Sequence, residues 1–255
     1  MIVLKNLWGL FPVFSWVGKA FQESAWEWIG VSFGIVLFVL GLLMCVLQII
    51  AFPINVVIAG LTLLAVVPLV VAMFGVLIHD FLISSKKPSL GRLETISGRI
   101  LRVWPWCLVS VGFGGLFWLL TDLMSGWYFV GQDSMTVMGG VSILVGMLLL
   151  AILVFMVLVG YWMFVSIGVT DMVVQERGFL SSAAKSLGVN GRHLFFSVLY
   201  SVLVLLGIAV GSLFFGVGVV VVLPLVMLFS YGFFQLLLRI DGDVFLENIV
   251  EPNSK

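Results

Sequence analysis

Long apolar stretches separated by short polar segments make up most of this chain. A helix that crosses a bilayer needs about 20 predominantly apolar residues. Six stretches meet or approach this length: 28–50, 55–78, 104–120, 137–169, 194–215, and a last one that follows the turn 216–218 and ends near 238. Pro105 and Pro224 should bend their helices or mark helix starts, because proline lacks a backbone N–H. The pattern predicts an all-α, polytopic transmembrane bundle of about six spans.

Each pair of spans is preceded by a segment with amphipathic helical spacing. Turns of only a few residues at 51–53 and 216–218 force their flanking spans to be antiparallel neighbours, which predicts three hairpins. Apolar residues spaced three and four apart beside a membrane favour helices that lie in its interface. The three apolar stripes are Val13, Phe14, Val17, Ala20 and Phe21; Leu90, Leu93, Ile96, Ile100 and Val103; and Phe179, Leu180, Ala183, Ala184 and Leu187. In the third of these helices the side chains opposite the stripe are Ser181, Ser182, Lys185 and Ser186.

The same order of segments occurs three times, which indicates an internal repeat within one integral membrane domain, 1–255. The three predicted units are 13–80, 90–171 and 179–241. Three residues of the second unit recur 90 positions later, where Leu90, Gly98 and Arg102 match Leu180, Gly188 and Arg192. The second span of each hairpin ends on an acid, in turn Asp80, Asp171 and Asp241. We expect these acids to lie at one level of the membrane.

The positive charges lie on one side of this arrangement. All twelve Lys and Arg residues precede the first hairpin, lie between hairpins or follow the last one. The longest turn on the opposite side, 121–136, carries only Asp122 and Asp133 as charged residues. Because loops rich in Lys and Arg stay in the cytoplasm, both termini and all the basic segments are predicted to be cytoplasmic. The predicted location is the cell (inner) membrane, which the chain crosses several times.

Composition supports the membrane assignment and excludes several classes of partner. Hydrophobic residues make up 62% of the chain and charged residues only 9%, against about 45–50% and about 25% in soluble domains. The formal net charge is zero, so the chain is not expected to bind nucleic acid. The expected partners are the lipid bilayer, its anionic headgroups and other membrane proteins.

The residue types that carry chemistry are sparse. His79 and Asp80 form the one adjacent pair suited to proton transfer, and a relay at a cytoplasmic vestibule is one interpretation of them. The favoured interpretation is structural, with Asp80 paired to Lys86, Lys87 or an arginine, because Asp171 and Asp241 recur without a histidine. His193, beside Arg192, is expected to contact headgroups.

No motif for a nucleophile, a phosphate loop or a metal site occurs in the sequence. Cys45 and Cys107 lie in apolar runs and are expected to be small buried hydrophobic side chains. Glu27, between Trp26 and Trp28, has the position of an aromatic belt at the membrane border. We therefore predict no catalytic, cofactor-binding or metal-binding residues, and no enzyme activity.

Two glycine pairs have the spacing that lets transmembrane helices approach closely. Gly30 and Gly34 lie in the first span, and Gly207 and Gly211 lie in the fifth. Glycines four residues apart share one helix face and leave room there for a neighbouring helix. Helix packing is the expected role of both pairs.

The segment 170–193, TDMVVQERGFLSSAAKSLGVNGRH, combines the end of a span, an acid, a glycine and an alanine-rich helix. The matching positions are Glu176, Gly178, Ala183, Ala184, Lys185, Ser186, Asn190 and Gly191. This segment resembles a linker in the membrane domain of glycerophosphodiester phosphodiesterases, shared by six-helix bacterial membrane proteins of unknown function. The resemblance covers roughly the last hundred residues and implies the membrane architecture. It implies no catalytic residue, because the chemistry of that family belongs to a separate soluble barrel.

Two functions from different classes fit these features. The first is a non-enzymatic multi-pass membrane protein that organises lipids or protein partners, with basic interfacial helices contacting anionic headgroups. The alternative is a transporter or permease subunit for a small or lipid-like solute. A polar cavity at the membrane midplane would favour the alternative.

Overall fold

Ten helices and no strand form the described part of this computed structural model, which comprises residues 10–49, 54–84, 87–95, 97–130, 137–213 and 217–240. The helices are α1 (Leu10–Glu23), α2 (Ala25–Ile49), α3 (Ile54–Ser84), α4 (Leu90–Thr95), α5 (Ser97–Leu101), α6 (Trp104–Val130), α7 (Val137–Val174), α8 (Phe179–Arg192), α9 (Leu194–Leu213) and α10 (Val217–Ile240). The predicted all-α fold is confirmed for these residues.

Five of the described helices are long and apolar enough to cross a membrane. Their apolar segments are Ala25–Gln48, Val57–Ser84, Val154–Val174, Leu194–Gly211 and Gly218–Leu237. In α6 the apolar segment described is shorter, Trp104–Leu116. Large apolar side chains such as Phe38, Met44 and Leu206 are more than half exposed on these helices, as expected for surfaces that face lipid.

One predicted helix boundary is wrong. The outward turn was predicted to begin at 121, but α6 continues to Val130, and 131–136 lie outside the described residues. The predicted turn contains Asp122, yet an isolated polar side chain does not end a helix whose backbone bonds are satisfied internally. The second predicted interfacial helix is helical in its described parts, α4 and α5, and residue 96 between them lies outside the described residues.

The second helix of each predicted unit lies at the centre of the bundle. Helices α3, α7 and α10 contact one another, and each of α2, α6 and α9 packs against two of these three. The interfacial helices lie on the same central helices, with α1 against α10, α4 and α5 against α3, and α8 against α7. One connected cluster of buried apolar side chains runs from α1 to α10.

Tyrosine hydroxyls link the helices of this centre. The Tyr161 hydroxyl of α7 lies 2.8 Å from Ser110 Oγ of α6 and 3.1 Å from the Leu64 carbonyl oxygen of α3. In α9, the Tyr200 hydroxyl accepts a hydrogen bond of 3.0 Å from Trp162 Nε1 of α7 and donates one to Ser230 of α10. Each tyrosine thus joins three helices, which suits a membrane bundle because buried polar groups find no water there.

Two tryptophans are fully buried at the first turns of α2 and α6. Trp28 donates its indole N–H to the Ala20 carbonyl oxygen at 3.3 Å and stacks on Phe74. Trp106 packs on Phe164, and an added Cβ at Gly168 would overlap its ring. Of the two tryptophans beside Glu27, Trp28 thus faces the protein interior, whereas Trp26 is 84% exposed.

The two glycine pairs differ in what they contact. A Cβ at Gly207 would lie 3.4 Å from Val226, and one at Gly211 would lie 3.2 Å from Val222, so this pair lets α9 approach α10 closely. A Cβ at Gly34 would lie 2.6 Å from Leu90 of α4, whereas one at Gly30 would meet nothing within 4 Å. The packing role is confirmed for the pair in α9 and for Gly34.

Candidate functional site

The turn between α7 and α8 is shaped by Glu176 and Gly178. Glu176 has a φ angle of 54°, a left-handed conformation that non-glycine residues seldom adopt. Its carboxylate lies 3.1 Å from Arg99 and 3.9 Å from Arg102, so it joins the end of α5 to this turn. Gly178 precedes α8 in an extended conformation. The turn therefore lets α8 fold back against the end of α7.

One face of α8 is polar and buried against α7. Ser182, Ser186 and Asn190 follow one another at intervals of four residues, and all three are buried. Ser186 Oγ donates a hydrogen bond of 2.8 Å to the Phe164 carbonyl oxygen, and Asn190 Nδ2 donates one of 3.1 Å to that of Met163. These small polar side chains bring α8 close to the backbone of α7.

A second face of α8 presents exposed leucines. Leu180 is 80% exposed and Leu187 is 62% exposed. The sequence pattern correctly grouped these leucines, but it opposed them to all the serines as if those serines faced water. Ser182 and Ser186 instead face the protein, because backbone carbonyls of α7 accept hydrogen bonds from this side of α8. The leucine face is left to contact the apolar part of a membrane.

The third face of α8 is a basic groove. It contains a cavity of about 350 Å³ lined by Arg177, Ser181, Ala184, Lys185, Gly188, Val189 and Arg192. Three of these side chains are cationic. Ala184 and Gly188, one turn apart, are small and leave the middle of the groove open. We call this surface the α8 groove.

A buried carboxylate lies beside the α8 groove. Asp171, near the end of α7, is fully buried, and its Oδ1 lies 3.5 Å from Lys185 Nζ and 3.7 Å from Arg177 Nη1. Lys185 itself is only 12% exposed. A buried charge requires an opposite charge nearby, so this pair fixes the position of the lysine.

The other residues singled out from the sequence lie away from the α8 groove. His79 Nδ1 is 3.0 Å from the Tyr231 hydroxyl, which links α3 to α10. Lys87, one of the partners expected for Asp80, instead forms a 2.6 Å ion pair with Glu27, and Lys86 lies outside the described residues.

Three further residues occupy other helices or helix ends. His193 follows α8 directly and caps it through its backbone N–H. Cys45 is exposed on α2, so its expected burial is wrong, and Cys107 is half-buried on α6. Cys45 faces outward because much of α2 lies on the surface of the bundle.

Sequence reasoning missed part of the α8 groove, although a signal for it was present. Arg177 was counted among the charges but not placed with α8, and Gly188 was noted only as part of the repeat. Positions 181, 185, 188 and 192 recur at intervals of four, three and four residues, which places them on one helix face. This spacing identifies a third face of α8, between the leucines and the buried serines.

Two cavities within the bundle are apolar. One, of about 250 Å³, lies between α2 and α3 and is also lined by Leu90 of α4. The other, of about 350 Å³, extends from α2 and α3 to α9 and α10. The chain matches no protein-family model, no curated protein sequence and no solved structure.

Proposed function

We propose that this chain is a non-enzymatic, multi-pass membrane protein that organises anionic lipids at the cytoplasmic face of the cell membrane. The observation that carries the proposal is the α8 groove, a cationic surface directly beside exposed leucines. In this proposal the six spans form three hairpins, and the termini are cytoplasmic. The distribution of Lys and Arg and the resemblance to six-helix bacterial membrane proteins support this arrangement.

Interfacial helices bind membranes through two additive contributions. Apolar side chains insert into the boundary of the bilayer, and each Lys or Arg near an anionic surface contributes about 1 kcal/mol. On α8 the exposed Leu180 and Leu187 supply the first contribution, and Arg192 supplies part of the second, whereas Asp171 offsets the charge of Lys185. Arg99 and Arg102 contribute less in this proposal, since Glu176 offsets their charge.

The transporter alternative predicts a polar path among the spans. The cavity that reaches α2, α3, α9 and α10 is instead lined by apolar side chains such as Leu43, Val67 and Leu223. An apolar lining favours contact with lipid over passage of a hydrated solute. For this reason lipid organisation is the function we advance.

Charge removal tests the proposal. We expect replacement of Arg92, Arg99, Arg102, Lys185 and Arg192 by glutamine to reduce the anionic phospholipid that co-purifies with the protein, while the spans stay inserted. The matched control replaces the four arginines by lysine and leaves Lys185 unchanged, so it keeps every positive charge. Quantitative lipid analysis of both purified variants gives the comparison.

Equal amounts of co-purified anionic lipid in the glutamine variant, the lysine control and the unaltered protein would contradict lipid organisation. If solute flux in proteoliposomes were then lost on polar substitution of Gly207 or Gly146, the transporter alternative would replace this proposal.

A further inference from the structure

We infer that the α8 groove holds the headgroup of one phospholipid whose phosphate is a monoester, with its acyl chains lying along the exposed leucines of α8. This inference rests on the proposed function and narrows it from anionic lipid in general to one lipid class at one place. Its first support is the shape of the groove. The cavity of about 350 Å³ is large enough for a phosphate group and the glycerol carbons next to it.

The charges of the groove match a doubly charged phosphate. Arg177, Lys185 and Arg192 carry three positive charges, and Asp171 beside them carries one negative charge. These four side chains therefore sum to two positive charges. A phosphomonoester carries about −1.5 to −2 at pH 7, whereas a phosphodiester carries one negative charge. The monoester is the better match.

The cations of the groove differ in their access to a ligand. The Lys185 ammonium is buried against Asp171, so these two charges offset each other, whereas Arg177 and Arg192 line the groove with exposed side chains. Arginine side chains suit phosphate oxygens because their N–H groups form paired hydrogen bonds. The Ser181 hydroxyl adds a further hydrogen-bonding group to the lining.

The adjoining surface identifies the ligand as a lipid rather than a soluble phosphate. Leu180 and Leu187 directly precede Ser181 and Gly188 in the sequence, and both leucines are exposed on the neighbouring face of α8. A headgroup in the α8 groove therefore places its glycerol next to the leucines. A soluble phosphate would gain nothing from those exposed leucines.

Filling the groove without changing its charge tests the inference. Gly188 lines the groove, and a Cβ there would meet nothing within 4 Å, so Gly188→Leu is accommodated and occupies the cavity. The matched control is Gly191→Leu, at an exposed glycine of α8 that also meets nothing within 4 Å but does not line the groove.

The measurement is native mass spectrometry of the full-length protein with added phosphatidic acid or phosphatidylglycerol of identical acyl chains. We expect one phosphatidic acid to bind about tenfold more tightly than phosphatidylglycerol, a difference worth about 1.4 kcal/mol. Gly188→Leu should remove this preference, and Gly191→Leu should retain it. A second arm adds excess glycerol 3-phosphate, which should not displace the lipid.

Each other result overturns the inference in a distinct way. Gly188→Leu could bind phosphatidic acid like the unaltered protein while the five-residue glutamine variant loses anionic lipid. In that case the α8 groove is not the headgroup site, and the proposed function stands. If neither variant changes lipid binding, both the headgroup site and the proposed function are wrong. If glycerol 3-phosphate displaces the lipid, the groove recognises a soluble phosphate instead.

Discussion

The contact between Trp106 and Gly168 depends on a single missing side chain. Trp106 is fully buried at the start of α6, and its ring lies over Gly168 of α7, where any Cβ would overlap it. Phe164 and Phe179 pack against the same ring, so the tryptophan has little room to move away. Glycine at 168 therefore determines how closely α6 and α7 can approach.

We expect Gly168→Ala to destabilise the protein by about 1–3 kcal/mol, the usual effect of overpacking a buried contact. The control is Gly160→Ala, which lies on the same helix, is exposed and would meet nothing within 4 Å. That substitution should leave stability unchanged or raise it, because alanine favours a helix more than glycine does. Thermal unfolding in detergent compares the two, and equal midpoints would contradict the packing argument.

At the scale of whole elements, sequence periodicity predicted the helices better than the direction in which their faces point. Apolar length predicted the five membrane-length helices, because lipid leaves a chain few ways to satisfy its backbone. In α1 the predicted stripe is confirmed for Val13, Val17 and Ala20, which are buried, whereas Phe14 of the same stripe is 50% exposed.

The same periodicity could not predict the faces of α8 or the links between helices. Ser182 and Ser186 look like solvent-facing residues in the sequence, but both are buried, and Ser186 donates its hydrogen bond to a carbonyl group of α7. The hydrogen bonds of Tyr161 and Tyr200 likewise join residues far apart in the chain. Such contacts depend on tertiary packing, which a pattern within one helix does not contain.

The docking of α1 on α10 gives a prediction about an element. A Cβ at Gly232 would lie 2.9 Å from Val13 and 3.2 Å from Trp16, and Phe14 stacks on Phe229 at 4.8 Å. We expect Gly232→Leu to displace α1 from α10 while the spans stay inserted. Limited proteolysis should then cut within 10–23 faster than in the unaltered protein.

Gly41→Leu is the matched control, because Gly41 is exposed on α2 and its Cβ would meet nothing within 4 Å. Proteolysis of the control should resemble that of the unaltered protein. Equal cleavage rates in both variants would show that α1 does not depend on the space at Gly232.

Across the whole molecule, the contacts between helices connect each of the three predicted units to the next one, as in a closed ring. Each interfacial helix packs against the central helix of the preceding unit, and α1 packs against α10 as if the last unit preceded the first. The repeat itself stays a prediction, since Asp241 lies outside the described residues. The two described acids also differ, because Asp171 is fully buried and Asp80 is only partly buried.

Orientation in the membrane gives a prediction at the same scale. A reporter active only in the cytoplasm should give signal when fused after Lys255 and none when inserted near Gly131. The reason is the confinement of all twelve Lys and Arg residues to one predicted side. A reporter active only outside the cytoplasm serves as the control and should give the opposite result. Cytoplasmic signal at Gly131 would contradict the topology.

The packing of α1 on α10 also has a consequence for synthesis of the protein. Helix α1 emerges from the ribosome early, but its binding surface on α10, including Gly232, emerges roughly 200 residues later. At about 5–20 residues per second, α1 is without its partner for roughly 10–40 s. During that interval its apolar face, including Val13 and Val17, has the membrane surface as its available apolar environment. The final closure of the bundle is therefore a transfer of α1 from lipid to protein, after translation of the last helix.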